Sequence, residues 1–165
     1  MCMFEDLMTA NAAYAETFGL RGIPARVRRG LAVLTCMDSR IEPLSMLGLV
    51  PGDAKIARNA GARVTDDVLR TLILATNFLG VDRICVVQHT DCRMTQSTQS
   101  QIEAAIREST GQDPSGWDFL AIANQDEVLN ADVERVRSCG LLAPGVTVGG
   151  FVYDVGTGLL RSVTD

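Results

Sequence analysis

A strongly apolar strand and a cluster of reactive side chains meet in residues 31–40, which read LAVLTCMDSR. The run Leu31–Thr35 is typical of a strand that is buried on both faces of a parallel sheet. Polar residues follow it at once, beginning with Cys36. In open parallel sheets, ligands bind beyond the carboxyl ends of the strands. The stretch therefore predicts an α/β fold with a functional site directly after this strand.

The same arrangement recurs further along the chain. Residues 83–88 predict a second buried strand, which leads directly into His89-Thr90-Asp91-Cys92. We expect the two strands to be neighbours, so that Cys36, His89 and Cys92 meet at their ends. Two thiols and an imidazole form a set that a tetrahedral Zn²⁺ accepts, and three protein ligands leave a position for water, as in catalytic sites.

Strands and helices alternate along the rest of the chain. Helices are predicted over residues 3–18, 44–49, 100–109 and 126–139, and from an N-cap at Thr65 to Leu79. Ser100 and Glu103 have the spacing of a capping box. Further strands are predicted at residues 55–58 and in a terminal hairpin of residues 146–155 and 159–163. We therefore expect one α/β domain, residues 1–165, with a mainly parallel central sheet, flanking helices and a C-terminal antiparallel edge strand; residues 1–20 would form an N-terminal helical arm.

The composition narrows the possible function classes. A chain of 165 residues with 47% hydrophobic residues is long and apolar enough for one well-packed domain. Its net charge of −5 and the lack of a basic stripe argue against nucleic acid or an anionic membrane as a partner. The apolar runs are too short to span a bilayer, and the N-terminus does not have the pattern of an export signal, so we expect a cytoplasmic protein.

The five cysteines do not form the even set of a disulfide framework. Cys85 lies within an apolar strand and is predicted to be a small buried hydrophobic residue. Cys2 and Cys139 have no neighbouring ligand types and receive no role. Trp117 and Phe119 are predicted to belong to the core or to an interface.

Three motifs together resemble the β-class carbonic anhydrases in residue type, order and spacing. They are Cys36-Met37-Asp38-Ser39-Arg40, Arg58-Asn59-Ala60-Gly61 and His89-Thr90-Asp91-Cys92. The similarity extends from about residue 30 to Thr157, and the length is similar to that of the short, compact branch of the family. One position departs from the pattern, because the family commonly has Gly after the second Cys, where this chain has Arg93.

The resemblance implies a set of roles at the site. Zn²⁺ would be held by Cys36, His89 and Cys92, with water as the fourth ligand in an open state. Asp38 would accept a hydrogen bond from that water or, in a closed inactive form, bind the metal itself. Arg40 would pair with Asp38 and hold it away from the metal. The implied reaction is the reversible hydration of CO₂ to bicarbonate and a proton, with hydroxide on zinc as the nucleophile.

Several alternatives remain open at this stage. Some relatives are implied to hydrolyse carbonyl sulfide or carbon disulfide to H₂S and CO₂ at the same zinc site, and a closed, non-catalytic zinc protein is a third possibility. Arg58, Asn59 and Gly61 either line the pocket or form an ordinary turn. His89 is the only histidine, so no second imidazole exists to shuttle the proton.

The resemblance also implies the partners of this chain. The substrate would be a small linear molecule, either CO₂ (with bicarbonate as its product) or carbonyl sulfide. The protein itself would form a homodimer or a dimer of dimers, with the N-terminal arm packed on the partner subunit.

Overall fold

A five-stranded sheet forms the centre of the protein, which a computed structural model describes over residues 3–164. The strands are β1 (Leu31–Cys36), β2 (Ala54–Asn59), β3 (Arg83–His89), β4 (Thr147–Tyr153) and β5 (Leu160–Thr164). Their order is β2-β1-β3-β4-β5, and β5 pairs antiparallel with β4 while the other pairs are parallel. This confirms the predicted α/β fold with its antiparallel edge strand. Cys2 and the first residue of the predicted arm lie outside the described residues.

Residues 3–164 contain four helices: α1 (Glu5–Glu16), α2 (Asp66–Phe78), α3 (Gln99–Thr110) and α4 (Gln125–Arg137). Thr65 caps α2 as predicted, because its side chain accepts a hydrogen bond from the amide of Val68. The prediction for residues 44–49 was too long, since only a 3₁₀ turn, Ser45–Leu47, forms there. The helix predicted to run to Cys139 ends two residues earlier, at Arg137.

The capping box predicted at the start of α3 was wrong by two residues. Thr98, not Ser100, is the N-cap, and it exchanges hydrogen bonds with Gln101 rather than with Glu103. Both pairs have the same spacing, so the sequence pattern alone does not separate them. The extended backbone of Thr98 (φ −77°, ψ 164°) selects the earlier pair, because an N-cap must have non-helical dihedral angles.

The main core lies between one face of the sheet and the helices α2 and α4. It contains Leu34, Ile84 and Val86 from the strands and Leu72 and Leu129 from the helices, all at most 1% exposed. Glycine brings α4 close to the sheet: a Cβ at Gly150 would lie 2.9 Å from a methyl group of Val133. The sheet is thereby fixed against α4, and β1 and β3 end side by side.

Some apolar residues lie outside this core. None of the residues of α1 is buried, and Leu7 and Met8 are 59% and 65% exposed. Trp117 is 71% exposed, so a place in the core of a single chain was wrong for this residue. Cys85 is half-buried rather than fully buried, because the second face of the sheet is only partly covered. Within residues 3–164 no helix has the length and apolar character needed to cross a membrane.

Candidate metal centre

The three predicted ligands meet at the carboxyl ends of β1 and β3. Cys36 is the last residue of β1, His89 the last of β3, and Cys92 follows in the next turn. Their ligand atoms all lie within 4.8 Å of one another, and the two Sγ atoms are 4.0 Å apart. All three side chains are buried. The parallel pairing of β1 with β3 therefore creates the cluster, as the two strand motifs predicted.

The Nε2 atom of His89 faces the two thiols without a proton. Its Nδ1 lies 2.8 Å from the carbonyl oxygen of Thr90, which fixes the proton on Nδ1. The opposite nitrogen, Nε2, is buried and has no hydrogen-bond partner among residues 3–164. A neutral imidazole that donates from one nitrogen to a carbonyl group and leaves the other free is the usual form of a metal-binding histidine. The two sulfurs and this nitrogen fit the donor set that zinc prefers.

The two thiols differ in acidity, and one of them readily forms the thiolate that binds a metal. The pKa of Cys36 is lowered to about 3, first by the hydrogen bond with the Cys92 thiol and also by the Gly61 amide, which donates to Sγ at 3.3 Å. The pKa of Cys92 is raised, because its hydrogen bond to Cys36 retains the proton on Cys92. A metal ion that binds both sulfurs takes them as thiolates and would displace a proton held between them.

Asp38 and Arg40 form a tight pair beside the three ligands. Arg40 donates to both carboxylate oxygens of Asp38, from Nε at 3.0 Å and from an Nη at 2.8 Å. This guanidinium holds the pKa of Asp38 well below its usual range. Asp38 Oδ2 lies 3.9 Å from His89 Nε2. The carboxylate is thus adjacent to the ligand cluster while both of its oxygens are engaged by Arg40.

Asp38 and Arg40 pair within a turn that directly follows β1. The amide of Ile41 donates to the carbonyl oxygen of Asp38 at 3.1 Å, so the backbone reverses after β1. Arg58 supports this turn, because its guanidinium donates to the carbonyl oxygens of Cys36 and Asp38 at 2.9 and 2.6 Å. This turn, and not an extended chain, places Asp38 beside the ligand cluster.

The sequence left open whether the segment after β2 lines the pocket or forms an ordinary turn, and the segment does both. Gly61 contacts a ligand directly through its amide, and its φ of 76° is one that glycine adopts without strain. Asn59 instead holds a turn, since its side chain both donates to the carbonyl oxygen and accepts from the amide of Arg63. One residue thus touches the ligand cluster, and the other shapes the loop around it.

Comparison with known proteins identifies the family. The family model described as "Carbonic anhydrase" matches residues 31–115, which include all three ligand candidates. Beta-carbonic anhydrase 1 of Mycobacterium tuberculosis is 34% identical over 165 residues and is matched over 99% of both chains. The chain belongs to the β-carbonic anhydrase family.

Two further relatives of the chain carry the names of two different activities. The crystal structure of carbonic anhydrase from Streptococcus mutans superimposes with a TM-score of 0.92 and 35% identity, over 99% of both chains. Carbon disulfide hydrolase from Acidianus sp. is 35% identical over 185 aligned residues, covering 96% of this chain and 90% of the relative. Members of the family similar to this chain are thus enzymes of two kinds, both acting on small molecules.

The sequence predicted no role for two residues that the fold places around the site. Asp91 accepts a hydrogen bond from Arg40 at 2.7 Å, on the side of the guanidinium opposite Asp38. Gln125 donates to the carbonyl oxygen of His89 at 2.8 Å. Asp91 has a φ of 54°, and aspartate tolerates such a turn, but its contact with Arg40 spans 51 residues of sequence. No local pattern reports a contact of that separation.

A cavity of about 260 Å³ opens beside the cluster. Ala60, Met94 and Phe119 line it together with one side of α3, and Arg93 stands at its rim. Met94 lines the cavity and also packs against the group of buried residues that contains Cys36 and Cys92, so the cavity adjoins the ligand cluster. Most of this lining is apolar, while Arg93, exposed at the position where β-carbonic anhydrases commonly have glycine, adds a positive charge.

Proposed function

We propose that this chain is a zinc enzyme that catalyses the reversible hydration of CO₂ to bicarbonate and a proton. The observation that carries the proposal is the buried cluster of Cys36, His89 and Cys92, with the free Nε2 of His89 directed at the two sulfurs. A carboxylate held by arginine lies next to the cluster and supplies a group that can accept a proton or orient a nucleophile.

Cys36, His89 and Cys92 would hold the metal, which when bound supplies the Lewis acidity that makes water a nucleophile near neutral pH. The Gly61 amide stabilises the negative charge of Cys36, and the carbonyl oxygen of Thr90 keeps the His89 ring in the required tautomer. These contacts preorganise the donor atoms before any ion arrives, which lowers the reorganisation that binding requires.

Asp38 and Arg40 would act on the reacting molecules. Because both carboxylate oxygens receive hydrogen bonds from Arg40, the carboxylate stays ionised and remains beside the ligand cluster. In that position Asp38 can accept a hydrogen bond from the attacking oxygen and so orient its lone pair toward the carbon of CO₂. The second contact of Arg40, with Asp91, fixes the guanidinium from the other side.

Hydrolysis of carbon disulfide or carbonyl sulfide is the second candidate. It is favoured by the relative from Acidianus sp., which is named a carbon disulfide hydrolase, and by the apolar cavity that adjoins the cluster. A closed, non-catalytic zinc protein is disfavoured, because Asp38 would have to give up its paired hydrogen bonds with Arg40 to become a fourth ligand.

One purified sample tests these assignments together. Elemental analysis should give about one zinc per chain, because the cluster offers a single set of three ligands. Stopped-flow measurement of CO₂ hydration and release of sulfide from carbonyl sulfide and carbon disulfide should then be compared at matched substrate levels. Faster sulfide release would favour the second candidate, and a zinc-loaded protein without either activity would contradict both.

We further propose that the enzyme is a homodimer or a dimer of dimers built from one domain, with residues 1–20 as an arm that packs on the partner subunit. Support comes from α1, whose residues have no burial within the chain although Leu7, Met8 and Tyr14 are apolar or aromatic. Large apolar side chains exposed together on one helix are typical of a surface that another chain covers.

A further inference from the structure

The side-chain amide of Gln88 is buried, and within the described part of the chain it makes no hydrogen bond that would explain its place in the fold. Its side chain is 1% exposed, and neither its oxygen nor its nitrogen has a hydrogen-bond partner among residues 3–164. Burying an amide without a hydrogen-bond partner destabilises the folded state, and such groups are rare in folded proteins. We therefore expect this amide to form a hydrogen bond with a group that does not belong to the described residues of the chain.

The position of Gln88 in the sheet indicates which group it serves. Strand alternation places Gln88 on the same face as Ile84 and Val86, which belong to the main core under α2 and α4. On β4 its neighbour in register is Val152, which is apolar. On β1 the register pairs Thr35 with Val87, so Cys36 is the next residue along β1 and stands beside Gln88.

The sulfur of Cys36 is the acceptor that this neighbourhood offers. Leu34 and Cys36 share a strand face by the same alternation, so the thiol and the Gln88 amide lie on one side of the sheet. Cys36 Sγ already receives one hydrogen bond, from the Gly61 amide at 3.3 Å. A thiolate has room for more than one donor, and donors to a metal-bound sulfur tune its charge.

We propose that Gln88 is a positioning residue for the Cys36 thiolate and donates to it through one buried water molecule. The water would accept from the Gln88 amide nitrogen, donate to the thiolate, and satisfy a polar group that is otherwise unpaired. Buried waters of this type make about three hydrogen bonds to such groups. The inference rests on the proposed function, because it assumes that Cys36 is a metal ligand.

The replacement Gln88→Met tests the inference, since methionine matches the volume of glutamine and removes both polar atoms. The matched control is Thr76→Val. It removes a buried hydroxyl of α2 whose hydrogen-bond partners, Ile73, Asn77 and Ala143, do not belong to the ligand cluster. Zinc affinity is measured by competition with a chelator, and the thiolate-to-metal charge-transfer band is recorded on the cobalt-substituted protein. We expect Gln88→Met to weaken zinc binding by about 10–100-fold and to shift the band, with Thr76→Val unchanged in both.

Two results would overturn the inference. If Gln88→Met kept the zinc affinity and the band of the wild type, the amide would have no role at the thiolate; in that case the metal-free variant should be the more stable protein, because an unpaired amide has been removed. If the variant lost affinity without any change in the band, the loss would be structural and the inference would again be wrong.

The wild-type protein provides a measurement that does not depend on the variant. With glutamine labelled at the side-chain nitrogen, the Gln88 NH₂ signals should move when zinc is added, whereas those of surface glutamines such as Gln112 should not. Unmoved Gln88 signals in a zinc-loaded sample would refute the inference alone. Failure of the wild type to bind zinc at all would instead refute the proposed function and, with it, this inference.

Discussion

Cys92 is the proposed ligand whose removal would distinguish a metal site from a chance cluster of thiols. Among residues 3–164 it contributes one of the two sulfurs that cluster with His89, and the imidazole with one thiol is too small a set to hold zinc tightly. We expect Cys92→Ala to lose the metal, so that elemental analysis finds almost no zinc in the purified protein. Cys139→Ala is the matched control, because that free cysteine lies outside the cluster and its loss should leave the zinc content unchanged.

Asp38 should affect turnover rather than metal content. Its carboxylate lies 3.9 Å from His89 Nε2 while Arg40 engages both of its oxygens, so it is placed to orient a reacting molecule without binding the metal. We expect Asp38→Ala to retain zinc and to lower kcat for CO₂ hydration by about 100-fold, as for lost positioning groups. Asp67→Ala, at an exposed ion pair of α2, should leave kcat unchanged. Loss of zinc from Asp38→Ala would show that the carboxylate is a ligand.

Arg93 should distinguish an anionic substrate from a neutral one. It stands exposed at the rim of the cavity, where its charge attracts bicarbonate and does not act on CO₂. We expect Arg93→Gly to raise KM for bicarbonate about 2–5-fold, the range of an exposed charge contact, and to leave KM for CO₂ nearly unchanged. The difference should shrink at high ionic strength because salt screens exposed charges. Equal changes in the two KM values would instead indicate an altered backbone after Cys92.

At the scale of the elements, a buried ion pair joins α4 to the loop that surrounds the site. Asp132 on α4 is 5% exposed and accepts from Arg63 at 2.7 Å, and Arg63 also donates to the carbonyl oxygen of Leu120 at 2.8 Å. Breaking such a pair leaves a buried charge without a partner, which costs about 3–5 kcal/mol. We expect Asp132→Ala to lower the free energy of unfolding in urea by about this amount.

The exposed pair of Asp67 with Arg70 is the control for this prediction. Both side chains are more than half exposed, so Asp67→Ala should change the free energy of unfolding by no more than about 0.5 kcal/mol. Both variants must be compared with the wild type at one protein concentration and with the same metal content. Equal losses in the two variants would contradict a structural role for the Asp132 pair.

The elements that the sequence predicted well are those with local signals. The apolar run of β1 and the Thr65 cap of α2 each depend on a few consecutive residues, and both formed as expected. The cap of α3 was misplaced because two overlapping pairs have the same spacing. The contact between Arg40 and Asp91 and the pair of Arg63 with Asp132 join distant parts of the chain, so no short pattern encodes them.

At the scale of the whole molecule, α1 is the element that the isolated chain leaves unexplained. The other helices cover the sheet or border the cavity, whereas every residue of α1 is at least partly exposed. Leu7 and Met8 are 59% and 65% exposed, and burying the exposed part of both side chains contributes about 2–4 kcal/mol. That free energy is large enough for the association of subunits, rather than the folding of a single chain, to stabilise the helix α1.

The double replacement Leu7→Glu with Met8→Glu therefore tests the proposed assembly. We expect the wild type to sediment as a dimer or tetramer. In the variant, two carboxylates on this face would have to be buried against the partner subunit. We therefore expect the dissociation constant of the variant to be at least about 100-fold higher, which corresponds to about 3 kcal/mol. Thr9→Glu with Ala13→Glu adds the same charge to the same helix at positions without large apolar side chains, and its assembly should change much less. A wild type that sediments as a monomer, or a variant that assembles like the control, would show that the face of α1 does not hold the subunits together.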